Sequence, residues 1–179
     1  MALKATVFKA NLQIADLDRH YYADHALTLA RHPSETDERM MVRLLAFALH
    51  ADEGLAFTRG LSTDDEPDLW CKDLTDAIEL WIELGQPDEK RVRRACGRAE
   101  RVVIYSYDDR AGDVWWAQNR DKFRRFENLS VVSLPSEQTR ALSQFAQRTM
   151  QLQITVQDGE VWFGDGTETV QVTPRTLKG

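Results

Sequence analysis

In EPDLWCKDLTDAIELWIELGQ, the stretch from Glu66 to Gln86, a Pro-Asp pair at Pro67-Asp68 precedes the acidic Glu83 at the end of an alternating segment. From Ala77 to Leu84 the even positions Ile78, Leu80, Ile82 and Leu84 are aliphatic, whereas the odd positions carry Glu79, Trp81 and Glu83. Strand side chains alternate between faces, so Glu79 and Glu83 share a face that packing alone does not require. With Asp68 on a neighbouring strand, its carboxylate converges with that of Glu83. Two or three carboxylates around a hard cation are the minimum for magnesium-assisted cleavage of a phosphodiester, because they bind the ion and leave sites for water and phosphate. An amphipathic edge strand with a solvated acidic face explains the same pattern, and the pattern alone favours it.

Other chemistries find less support. His20, His25, His32 and His50 have no ligand spacing and no serine or cysteine nucleophile to serve, which disfavours a Ser-His or Cys-His hydrolase. The sequence contains no glycine-rich phosphate loop, which removes nucleotide-hydrolysing and dinucleotide-binding readings. Cys71 and Cys96 lack a CxxC spacing and a histidine partner, so the expectation is reduced structural thiols and a cytoplasmic address. The N-terminal MALKATVFKANLQ has no long apolar core and no later segment is long enough for a membrane span, so neither secretion nor membrane insertion is expected. A net charge of −6 and a pI near 5.3 repel polyanions, so nucleic-acid binding requires a locally basic face or metal ions. Lys90, Arg91, Arg93, Arg94, Arg98 and Arg101 could supply such a face, although charged helix faces are usually just solvated. A second patch, Lys122, Arg124 and Arg125, lies beside Trp115, Trp116, Phe123 and Phe126, aromatics that either stack on bases or fill a core.

The elements that position these groups follow from patterning. A length of 179 residues fits one domain, 1–179, able to bury a core without disulfide or metal. Lys4 to Ala15 alternates as a strand, and His20 to Arg31 reads as the returning one. Ser34, with Glu35 and Asp37 behind it, predicts a helix running to about Ala51 with Met41, Leu44, Leu45, Ala48 and Leu49 buried. Short strands are predicted at Leu55 to Gly60, Asp68 to Leu74 and Asp76 to Leu84, then a helix opened by Asp88 and Glu89. Arg101 to Tyr107 is β-branched and aromatic enough for a buried strand paired in parallel after a helical crossover. A helix from about Ala111 to Phe126, a strand at Leu129 to Leu134 and a short helix from Ser136 come next. Three strands close the chain: Gln151 to Gln157, Glu160 to Phe163 across the Asp158-Gly159 turn, and Val170 to Thr173.

Three stretches, ARHPSETDERMM at Ala30 to Met41, TRGLSTDDEPDLW at Thr58 to Trp70 and WIELGQPDEKR at Trp81 to Arg91, resemble the YaeQ proteins of bacteria. The resemblance runs end to end and includes NLSV at Asn128 to Val131 and RTMQLQITVQDG at Arg148 to Gly159. It implies an α/β fold with a mixed sheet and a PD-(D/E)XK, restriction-endonuclease-like core of helix, three strands, helix and strand, with an N-terminal hairpin and C-terminal strands added. Carried over by residue, Asp68 and Glu83 are the metal-binding acids, and Glu83-Leu84-Gly85 stands where acid, spacer and lysine belong. The lysine that assists the attacking water is absent, which leaves Gln86, Lys72 or Lys90 as substitutes, Lys90 first among them. Glu38 is preferred over Glu53 as a carboxylate from the first helix, although Glu38 also simply complements the helix dipole.

The reading implied is a divalent-metal-dependent phosphodiesterase, with magnesium or manganese on Asp68, Glu83 and Glu38 and with Gln86 or Lys90 assisting. Nucleic acid would lie along Lys90, Arg91, Arg94 and Arg98. The alternative is a non-catalytic module that keeps the nuclease fold and binds nucleic acid or a protein partner.

Overall fold

Two sheets and four helices emerge from this patterning in a computed structural model, which describes residues 4–58 and 65–179. The chain forms two compact units, Met1–Ala51 with Glu137–Pro174, and Asp52–Ser136 with Arg175–Gly179.

The first unit is built on a five-stranded sheet of order β10-β9-β8-β1-β2. Its hairpin joins β1 (Thr6–Asp16) to β2 (Tyr21–Arg31), and β8 (Thr149–Gln157) pairs with β1 in parallel. Phe8, Ala10, Leu12 and Ile14 point inward from β1 as their alternation requires. The helix α1 (Asp37–Leu49) buries every residue from Met40 to Ala48, a wider face than a single stripe. Its cap is Thr36, not Ser34: Thr36 Oγ1 accepts from Arg39 N at 3.1 Å, whereas Ser34 bonds the His32 ring. Arg43, 3% exposed, ion-pairs at 2.5 Å with Glu35, whose other carboxylate oxygen meets Arg39 at 2.8 Å. A helix buried on nearly all sides brings its arginines inside, and one carboxylate there neutralises two of them. The β8–β9 turn has positive φ at Asp158 (53°) and Gly159 (75°), as a two-residue hairpin demands, with β9 at Glu160–Gly164 and β10 at Thr169–Val172.

The second unit has a six-stranded sheet of order β11-β7-β6-β5-β4-β3. Strand β4 (Leu69–Lys72) runs antiparallel to both its neighbours, β3 (Leu55–Phe57) and β5 (Ile78–Leu84), and β5 pairs in parallel with β6 (Ala99–Ser106) after helix α2 (Glu89–Arg98). Strand β7 (Leu129–Ser133) follows α3 (Asp109–Phe123), and α4 (Ser136–Leu142) starts here but belongs to the first unit from Glu137 onward. A fourth closing strand, β11 (Arg175–Lys178), escaped the sequence pattern and pairs with β7. The part of the expected strand at Leu55 to Gly60 that falls on residues 59 and 60 lies outside the described residues. A core of Trp81, Val92, Ile104, Trp115, Phe123 and Val131 lies against α2 and α3, so Trp115 and Phe123 are core residues rather than base-stacking surfaces. No helix among the described residues is long and apolar enough to cross a membrane.

Strand β5 corrects the edge-strand reading. With β4 on one side and β6 on the other it is interior, and its burial extends to both faces: Trp81 is 1% and Glu83 6% exposed. Only Glu79 on that face is exposed, where it accepts from Cys71 Sγ at 3.8 Å. Solvation therefore explains Glu79 and leaves Glu83 to be explained.

Candidate acidic site between β4 and β5

Asp68 precedes β4 by one residue, and its backbone already joins the sheet: its N–H donates to Ile82 O at 3.0 Å. This pairing sets Asp68 across from the end of β5, where its Oδ2 accepts from Leu84 N at 2.8 Å. The side chain thereby does the work of a strand carbonyl, and a residue 5% exposed keeps its polar oxygen partnered.

Glu83 sits beside it. Three donors converge on its Oε1: Trp81 Nε1 at 3.0 Å, Arg91 Nε at 2.9 Å and Arg91 Nη2 at 2.7 Å. Burial pushes the Glu83 carboxyl above the usual carboxylate range, and the neighbouring Asp68 charge adds to the rise, while the Arg91 and Trp81 hydrogen bonds oppose it. Two acids within each other's field, one reluctant to ionise, form a place where added positive charge is favourable.

The positive charge present comes from α2. Asp88 caps that helix through Oδ1 to Arg91 N at 2.8 Å, which fixes where Arg91 begins its reach. Arg91, Arg94 and Arg98 repeat at three- and four-residue spacing and so form one row. Arg91 Nη2 donates to Glu66 O at 2.8 Å, Arg98 Nη1 donates to Asp65 O at 2.6 Å, and Arg94 lies 3.9 Å from the Asp65 carboxylate. Arg98 also covers the Trp81 ring at 5.1 Å. The row read from sequence as a phosphate-facing surface thus also holds the segment leading into Asp68. That spacing was the available signal, and its target, a buried glutamate, was what sequence could not supply.

The other expected residues are more dispersed. Gln86 and Lys90 are exposed, and Lys72 ion-pairs with Asp76 at 3.3 Å while lying 4.0 Å over the Trp70 ring. Glu38 belongs to the first unit, where its Oε2 accepts from Thr139 Oγ1 at 2.8 Å. Glu53 is exposed. Among the described residues no group of three or more His, Cys, Asp or Glu is placed to hold a metal ion, and Asp68 and Glu83 meet as a pair through the β4–β5 register. Two carboxylates completed by water and phosphate oxygens are a common donor set for magnesium, so the pair fits that ion.

Gly85, where the resemblance leads one to expect a lysine, has φ of 103° and donates its N–H to Tyr105 O at 2.8 Å. A side chain there meets nothing within 4 Å, but it opposes a backbone conformation that L-residues rarely adopt. Gly85→Lys is expected to lower stability by about 1–3 kcal/mol in urea denaturation, through strain rather than clash. An unchanged midpoint would show that the turn tolerates the missing lysine.

A family model described as YaeQ protein matches residues 1–174. The chain belongs to the YaeQ family. It is 54% identical to an uncharacterized protein YaeQ of Escherichia coli (strain K12) over 96% of this chain and 95% of that one. A YaeQ counterpart from Salmonella typhi is 53% identical over the same shares. Among solved structures, the YaeQ protein from Xanthomonas axonopodis pv. citri matches with a TM-score of 0.95 at 52% identity, covering 98% of this chain and 99% of that one. The YaeQ protein from Pseudomonas syringae gives 0.92 at 38% identity, with 98% and 97% covered. In this YaeQ chain both cysteines are free, and burial pushes the Cys96 thiol up to about 11.

Proposed function

We propose that this YaeQ protein has a PD-(D/E)XK-like core and is a divalent-cation-dependent phosphodiesterase acting on DNA or RNA. The order α1, β3, β4, β5, α2, β6 supports the core, and the buried Asp68–Glu83 pair carries the function. Asp68, oriented by the Leu84 N–H, and Glu83, oriented by Trp81 and Arg91, are the ligands. Among the described residues the donors to Glu83 fall on Oε1, which leaves Oε2 for the cation. When bound, magnesium or manganese supplies a water acidic enough to attack phosphorus and neutralises the phosphate oxygens. Arg91 supplies the fixed positive charge that Gly85 cannot, and Gln86 and Lys90 stand on the exposed side where water and phosphate enter. A cytoplasmic address, in keeping with free thiols, belongs to the same proposal.

One observation favours a second reading, a binding module without chemistry: the guanidinium on Glu83 already provides the charge a metal would bring. Labelled single- and double-stranded DNA and RNA incubated with magnesium or manganese separate the two. Cleavage that falls at least about a hundredfold in Glu83→Gln is the expected outcome, the scale on which loss of one electrostatic group in an active site is felt. Calorimetric titration with manganese should likewise show a site that Asp68→Ala abolishes. Equal heats in wild type and variant remove the cation, and salt-sensitive binding without cleavage establishes the module.

A further inference from the structure

The outward face of the first unit's sheet differs from the rest of the surface in chemistry. Of the whole chain, 29% of residues are charged. Along the middle of this face, cross-strand register sets Thr28, Lys9 and Thr149 in one row, Ala26, Asn11 and Gln151 in the next, and Asp24, Gln13 and Gln153 in the third. One lysine and one aspartate cancel. The fourth row crosses all five strands as Tyr22, Ala15, Thr155, Trp162 and Gln171. Tyr22 is 61% exposed and Trp162 half-buried. Three strand spacings, about 14 Å, separate these aromatics, and only the small Ala15 and Thr155 lie between them. Solvated sheet faces need polar residues, but not amides in adjoining rows flanked by two aromatic rings.

We propose that this face binds a neutral glycan. A chain of uncharged pyranoses presents hydroxyls, each a donor and an acceptor, and ring faces of C–H groups. A side-chain amide offers two donors and an acceptor in one group, so Asn11, Gln13, Gln151 and Gln153 can satisfy hydroxyls without importing charge. Tyr22 and Trp162 supply the apolar platforms with a polar tip that sugar ring faces stack upon. Single-stranded nucleic acid also stacks on aromatics, but its phosphates call for a cationic groove, whereas in these rows Lys9 is balanced by Asp24 and Glu160, beside them on β9, accepts from Gln171 at 3.2 Å. The face is independent of the Asp68–Glu83 site, so either proposal can fail alone.

The full chain is titrated with soluble hexasaccharides of glucose, mannose, galactose and N-acetylglucosamine, followed by tryptophan fluorescence and amide chemical shifts, with oligo-dT alongside. Saturable binding of at least one neutral sugar, with shifts centred on Gln13 and Gln153, is expected. Affinity should fall by about tenfold or more in Trp162→Ala and in the double variant Gln13→Ala/Gln153→Ala, while Lys90→Ala leaves it unchanged. Circular dichroism of each variant confirms that the sheet persists. The proposal is overturned by silence from every sugar at concentrations reaching about 10 mM, where even a millimolar Kd registers. It is overturned equally by binding that survives both variants, by preference for oligo-dT, or by a concentration-dependent dimer that Trp162→Ala dissolves.

Discussion

Arg91→Met should destabilise the protein by about 3 kcal/mol at neutral pH, toward the lower end for breaking a buried ion pair because Arg91 is 25% exposed against 7% for Glu83. The loss comes mainly from Glu83, left ionised among Trp81 and the β5 core without the guanidinium that compensates it. Its pH dependence identifies the cause. Burial raises the Glu83 pKa in the folded state, so the folded chain holds that proton more tightly than the unfolded one. The stabilising contribution of protonation is complete below the unfolded carboxyl value and disappears as pH climbs through the higher folded value. The deficit of Arg91→Met relative to wild type must therefore shrink as pH falls through that window. Adding Glu83→Gln should recover much of the loss at neutral pH, and a deficit that is flat with pH would assign it to the severed Glu66 contact instead.

A loss of similar size, about 3–5 kcal/mol, is expected for Glu35→Ala. Glu35 is 4% exposed and its two carboxylate oxygens meet Arg43 and Arg39 on successive turns of α1. Arg43 also donates to Ala30 O at 3.3 Å, so the guanidinium links α1 to the end of β2. Removing the carboxylate takes from the buried Arg43 its 2.5 Å ion pair, and urea denaturation should show the effect. A midpoint shift worth less than about 1 kcal/mol would mean that water reaches Arg43 and solvates it.

Local chemistry was readable wherever one short segment determined it. Asp88 was recognisable as the start of α2 because a carboxylate ahead of a helical run meets free amides, and Asp158-Gly159 as a turn because few residues accept positive φ. The three strands ahead of α2 were legible from alternation and turn residues, although alternation misjudged β5. Burial of Glu83 depends on which strands flank β5, and no pattern within β5 records its neighbours. The same reason hid the two-sheet arrangement: β1 pairs with β8 at Lys9 and Thr149, a match that no local periodicity encodes. Ser34 and Thr36 are equally good caps by type, and His32 decides between them by binding Ser34. Strand β11 is four residues after Pro174 with no alternation in burial, too short to register. At the acidic site, the resemblance singled out Asp68 and Glu83 as candidates, while the burial of both and the reach of Arg91 to Glu83 had to be seen.

The parallel β1–β8 pairing has a bearing on how the chain is made. A ribosome releases the β1–β2 hairpin long before Thr149 appears, so one long margin of β1 waits with its amides and carbonyls unmatched while the second unit's strands emerge. Until the C-terminal third arrives, the nascent hairpin is an open template for any extended segment nearby. Closing the first sheet therefore waits on a contact between residues about 140 positions apart, which makes it a slow, late step of folding.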